Sequence, residues 1–346
     1  MINLKNYLLN KSNRYRYYKT GYAQLKQDMV KLKNDLNILN IELDTITSNN
    51  KKLKQKISQL KNYSDRLYYG AGFPLGHFHS PINDIEFLKN REDKIWGAEF
   101  IEGIELNEEE QINLFKSFVK YYLEFPFKPS KQSNLRYYLE NSKFSYGAGL
   151  ILYFMIRTLR PKRIIEIGSG FSSALMMDVN DIFFEKKIKL TFIEPNPKRL
   201  YSLMSDQDKI NNEVIVKIVQ NVNLKKFQEL KSNDILFIDS SHIVKTGSDV
   251  QHIIFKILPK LKSGVYVHFH DIFYPFEYPK NWIMNNRWNF NEDYFLRAFL
   301  MYNTQFKIVL SDRYLHKYHN KLFEFMMQDM PPIKHAAGNS LWIKKI

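Results

Sequence analysis

Residues 161–180 read PKRIIEIGSGFSSALMMDVN, and this stretch decides the fold. Pro161 stops any helix before it. Arg163–Ile167 is short and rich in isoleucine, which suits a buried strand. Gly168-Ser169-Gly170 then turns tightly, and from Phe171 the apolar residues fall at helical spacing. A strand, a glycine turn and a helix start with free N–H groups form the opening unit of a nucleotide-binding α/β sheet. The alternation continues on both sides. GAGLILYFMIRTL (147–159) is an apolar helix, and LTFIEP (190–195), VIVKIVQ (214–220), DILFID (234–239) and GVYVHFHD (264–271) are four more strand candidates. Such regular alternation predicts a parallel sheet with helices on both faces. Ligands of such sheets bind outside the carboxyl ends of the strands, where three of these five runs carry acids. FKIVLSD (306–312) and SLWIKKI (340–346) read as a terminal antiparallel pair.

The turn selects the nucleotide. A dinucleotide fingerprint requires a third glycine where Ser173 stands, so it fails here. In its place an acid, Glu166, precedes Gly168 by two residues. A pyrophosphate would be repelled there, whereas the ammonium end of S-adenosylmethionine (SAM) would be attracted. Glu194 ends the next strand, where a carboxylate can accept both ribose hydroxyls. Together these features favour SAM over NAD.

The ends of the fourth and fifth strands bear on the acceptor. Enzymes that methylate exocyclic amines of DNA place Asp/Asn-Pro-Pro-aromatic after the fourth strand. This chain has Asp239-Ser240-Ser241-His242 instead, and with no Cys it lacks the nucleophile of C5 chemistry. An alcohol acceptor needs its proton removed as the oxygen attacks. Two arrangements would serve. In one, His242 or His270 is a general base oriented by Asp239 or Asp271. In the other, Asp239, His270 and Asp271 hold a divalent metal, where the imidazole suits Zn²⁺, Mn²⁺ or Fe²⁺ better than Mg²⁺. His268 alternates along its strand and reads as a core or supporting residue. His77 and His79 are a weaker pair, with no third ligand near them in sequence.

The segments RPKRIIEIGSGFSSALMMD, LTFIEPNPKRL, NDILFIDSSHIVKTGSDV and HFHDIFYPFEYP together resemble class I SAM-dependent methyltransferases, in particular the bacterial methyltransferase-24 group. The likeness runs back through GHFHSPIND and LRYYLENSKFSYG and forward to NEDYFLRAFL and NSLWIKKI, covering roughly residues 68–346. It implies a Rossmann-like seven-stranded sheet, with Gly168, Ser169 and Gly170 along the methionine side of SAM, beside Glu166 and Asp239. It further implies Glu194 on the ribose and Gln220 and Asn221 near the adenine. A hydroxyl acceptor, such as a saccharide, is the implied substrate.

Outside that likeness lies a heptad repeat. Leu25, Leu32, Leu39, Ile46, Leu53, Leu60 and Leu67 take the d positions; Tyr22, Met29, Leu36, Leu43, Asn50, Ile57 and Ser64 take a. Leu at d with one Asn at a predicts a parallel two-stranded coiled coil through 22–67, hence a homodimer. The expected organisation is a basic N-terminus and coiled coil at 1–67, a small acceptor-binding cap at 68–147, and the methyltransferase domain at 148–346.

The chain has 346 residues and a formal charge of +15. Nine of those charges fall within residues 1–67, so the rest of the chain makes a poor polyanion surface and nucleic acid is not the favoured partner. No signal-peptide pattern opens the sequence and no apolar run approaches the ~18 residues of a membrane span, which predicts a cytoplasmic protein. The favoured activity is O-methylation of a saccharide or related hydroxyl compound. An RNA methyltransferase and a catalytically silent scaffold of a glycan-assembly complex are the rivals.

Overall fold

The structure is a computed structural model that describes residues 53, 56–62, 73, 75–326 and 338–346. Of the heptad segment only residues 53 and 56–62 are described, and they are helical; the rod and its pairing lie outside the described residues. The chain divides into two compact units, Met1–Ala98 with Pro279–Asn289, and Glu99–Tyr278 with Phe290–Ile346. In the first, the short helices Ile85–Lys89, Glu92–Trp96 and Lys280–Met284 gather around Ile85 and Met284. Of the described residues in the segment 68–147, those up to Ala98 fall in the first unit. Residues 99–147 join the sheet-bearing unit because Phe115, Phe118, Phe127 and Tyr137 are buried in its core.

That second unit is built on seven strands: β1 Arg163–Ile167, β2 Lys189–Ile193, β3 Glu213–Ile215, β4 Ile235–Ile238, β5 Tyr266–Phe269, β6 Phe306–Ser311 and β7 Leu341–Lys345. Their order is β3-β2-β1-β4-β5-β7-β6. β1 to β5 pair in parallel, whereas β7 runs antiparallel to both β5 and β6, as the terminal pair was expected to do. β3 stops at Ile215, short of the expected VIVKIVQ. It is an edge strand, and Val216 and Ile218 beyond it stay exposed.

Period-two alternation divides the strand side chains between two cores. Ile164, Leu190, Phe192, Ile235 and Phe237 face one layer, made by α1 (Glu108–Ser117), α2 (Tyr146–Leu159) and α3 (Phe171–Phe183). Ile165, Ile167, Ile193, Leu236 and Ile238 face the other, which includes α4 (Glu292–Leu300) and the helical turns from Asp249 to Lys260. α2 reads as apolar on all sides and is buried on nearly all of them, the expected fate of such a helix. Among the described residues no helix is long and apolar enough to cross a membrane.

One ionic cluster pins the segment before α2 to the sheet layer. Arg136 donates to Asp178 (2.6 Å), to both oxygens of Asp208 (2.8 and 2.5 Å) and to Asp181 (3.0 Å). Asp178 also accepts the backbone N–H groups of Arg136 and Tyr137. Removing the guanidinium would strand buried carboxylates, so Arg136→Ala is expected to cost about 3–5 kcal/mol in urea denaturation. A loss below about 1 kcal/mol, the range of an exposed pair, would show that water replaces the clamp.

Candidate active site

A cleft of about 290 Å³ opens at the carboxyl ends of β1, β2, β4 and β5. Its floor is the glycine turn. Gly168 adopts φ +80°, and a Cβ there would overlap the carbonyl oxygen of Asp239. Glycine is required on both counts. The turn is held from below by Glu166, fully buried, which accepts hydrogen bonds from the hydroxyls of Ser172 (2.5 Å) and Ser173. Burial pushes its carboxyl up to about 8. Ser173, the residue that broke the dinucleotide fingerprint, also accepts the Gly170 N–H at 3.0 Å. Across the turn, Glu194 accepts from the backbone of Ser169 (3.1 Å) and Asn196 (2.8 Å), and its half-buried carboxylate lines the cleft.

On the far side Asp239 and Ser240 follow β4, and His270 and Asp271 follow β5. His242, held at φ +59°, turns its ring back toward both acids. Its Nε2 lies 3.5 Å from Asp239 Oδ1 and 3.9 Å from Asp271 Oδ2, and its Nδ1 lies 2.8 Å from Glu292 Oε2. Burial disfavours a charged ring here. The hydrogen bonds to Asp239 and Glu292, with their charges, outweigh it and push the imidazole up to about 11. Asp271 is steadied by Asn339, whose Nδ2 donates to Oδ1 at 2.9 Å, and Asn339 Oδ1 accepts from Arg313 at 2.5 Å. His270 sits against Phe144 with Nε2 3.7 Å from Asp271.

A family model described as a methyltransferase domain, methyltransferase-24, matches residues 165–272, from β1 to the cleft end of β5. An uncharacterised protein of Archaeoglobus fulgidus is 39% identical over 169 residues, which span 47% of this chain and 76% of that protein. The chain belongs to the methyltransferase-24 family of methyltransferase domains. Solved structures that resemble this methyltransferase include a SAH-bound methyltransferase of Podospora anserina, at 15% identity over 75% of this chain and 96% of that one (TM-score 0.39). Another is a coclaurine N-methyltransferase bound to N-methylheliamine and SAH, at 12% identity over 75% and 93% (TM-score 0.31).

In this methyltransferase the glycine turn, Ser169, Glu194, Asp239, His270 and Asp271 meet at one cleft. Other expected site residues lie elsewhere: His242 is buried and reaches Asp239 and Asp271 without itself lining the cleft. Glu166 lies beneath the turn and is engaged by serines. The side chain of Gln220 donates to the Gly247 carbonyl at 2.8 Å, and Asn221 is exposed in the turn after β3; neither lines the cleft. His268 is buried in the core, stacked on Phe237 at 4.0 Å, as strand alternation requires. In the other unit, His77 and His79 pack as rings beside Phe73.

Among the described residues no group of three or more His, Cys, Asp or Glu side chains is set to hold a metal ion. The gap between the two aspartates is instead addressed by His242 Nε2. Sequence reasoning missed Glu292, because an acid in the first turn of NEDYFLRAFL looks like ordinary helix-start chemistry. It is in fact buried at 1% exposure. Lys143 and Arg199, which also line the cleft, carried no motif signal.

Proposed function

We propose that this methyltransferase acts on a hydroxyl of a saccharide or related polyol, with His242 as the group that takes the hydroxyl proton. The observation that carries this reading is the aim of His242 Nε2 into the gap between Asp239 and Asp271, with the other ring nitrogen held by a carboxylate. When bound, SAM would supply the methyl carbon that the acceptor oxygen attacks, its C–S bond breaking so that the sulfonium leaves as the neutral thioether S-adenosylhomocysteine. The oxygen gains the methyl and its proton passes to Nε2 of a neutral His242. Asp239 and Asp271 then stabilise the imidazolium. A carboxylate pair also suits neighbouring hydroxyls, since each oxygen can accept a hydrogen bond from a sugar O–H.

Toward the cofactor, the backbone of the Gly168–Gly170 turn, which lines the cleft, is the surface offered to the methionine chain. Lys143 and Arg199 supply cations for its carboxylate, and Glu194 supplies the acceptor pair for the ribose diol. Glu194→Ala is expected to weaken SAM binding by about 1.5–3 kcal/mol, the worth of hydrogen bonds to a charged group. Calorimetry that finds unchanged affinity removes Glu194 from the ribose.

The acceptor class is tested with methyl-labelled SAM and a panel of glycans, small polyols and RNA. Label in an alkali-stable ether on a sugar hydroxyl is the expected result. Label confined to RNA bases, or SAM binding with no turnover on any hydroxyl compound, overturns the proposal.

A further inference from the structure

The geometry points to Glu292 as the positioning residue of this site: it holds the His242 ring by Nδ1 so that Nε2 faces the two cleft aspartates. This rests on the reading of His242 as the proton acceptor and adds the element that makes that role geometrically possible.

His242 follows β4 in a left-handed conformation, which a non-glycine residue adopts only when its surroundings hold it there. The start of α4 supplies that hold. The His242 carbonyl accepts the N–H groups of Asn291 (3.1 Å) and Glu292 (3.3 Å). The Asn291 side chain brackets Val244, accepting its N–H at 2.6 Å and donating to its carbonyl at 3.2 Å. With the backbone zipped in this way, Glu292 Oε2 meets Nδ1 at 2.8 Å in a buried setting, and Phe290 flanks the ring at 5.2 Å. In its ionised form Glu292 can only accept, which places the proton on Nδ1 and leaves Nε2 to do the exchange. The same division of labour recurs wherever a buried acid orients a catalytic imidazole. Asp239 and Asp271 face the ring from β4 and β5; Asp249 and Asp293 lie on the side of Glu292. None of these others reaches Nδ1 by a hydrogen bond among the described residues.

The test pairs a spectroscopic and a kinetic readout on Glu292→Leu and Glu292→Gln. In ¹⁵N-labelled wild type, the His242 Nδ1–H should appear as a slowly exchanging, hydrogen-bonded proton. Glu292→Leu should lose that signal and lower kcat by on the order of 10²-fold, with the KM for SAM within about twofold, since Glu292 does not line the cleft. Glu292→Gln, whose carbonyl still accepts from Nδ1–H, should recover part of both. If the leucine variant fails to fold, the glutamine variant alone carries the test, with a shifted signal and reduced kcat expected. An unchanged Nδ1–H signal and unchanged kcat in the variant that folds would overturn the inference. Should wild type turn over no hydroxyl acceptor, the proposed function fails while the Nδ1–H signal still decides the place of Glu292.

Discussion

Replacement of His242 by alanine is expected to lower kcat by roughly 10²–10⁴-fold, the span of general acid–base catalysis, while SAM still binds. The ring contacts Asp239, Asp271 and Glu292 rather than the glycine turn, so the loss should fall on chemistry. The pH profile gives a sharper check. Only a neutral imidazole can take the hydroxyl proton, and the surrounding carboxylates push this one up to about 11. The rate should therefore rise with pH through neutrality and beyond, because raising the pH empties Nε2 of its proton. A plateau already reached near the ordinary imidazole value of about 6.5 would contradict this. Full activity in His242→Ala would move the role to His270. Loss of activity on adding EDTA, with Asp239→Asn costing more than His242→Ala, would assign proton removal to a bound cation.

An equally large effect, on assembly of the site, is expected from Gly168→Ala. The new methyl would enter the space of the Asp239 carbonyl, and the φ of +80° lies in the region that side chains disfavour. Gly168 also donates to Ile193 on β2, and Asp239 donates to Ile167 on β1. The overlap therefore cannot relax without separating strands that meet at the floor of the cleft. A loss of about 4 kcal/mol or more in stability and no measurable SAM binding are expected, read by thermal unfolding and calorimetry. Near-native behaviour of this variant would show that the turn rearranges freely.

The sheet and the glycine-turn side of the cleft were legible because their signals are local. A strand, two glycines and an acid lie within Arg163–Gly170, and Glu194 closes the next strand in the same pattern. The acids after β4 and β5 were legible because parallel neighbours bring strand ends together. Three things were hidden. Glu166 carries the residue type of a ligand group, yet two serine hydroxyls one turn ahead consume it, and spacing alone does not show which way a buried carboxylate turns. Glu292 resembles any acid that favours a helix start, and only the pairing of Asn291 and Glu292 with residues 242–244 reveals its task. The extent of β3 was overcalled because an apolar run does not distinguish an edge strand, with a single neighbour, from a central one.

The hydrogen bonds around the cleft differ greatly in how far along the chain they reach. Ser169 meets Glu194 across 25 positions, whereas His242 meets Glu292 across 50 and Asp271 meets Asn339 across 68. The Ser169–Glu194 side of the cleft is a neighbourhood arrangement, closed within one strand–helix–strand repeat. The side that carries His242 and Asp271 is a treaty between distant segments, closed by α4 and by the residues just before β7. Each distant closure costs chain entropy that grows with the separation. The glycine-turn side of the cleft is thus set by the first two strands, while the opposite side depends on the docking of α4 and of the residues just before β7.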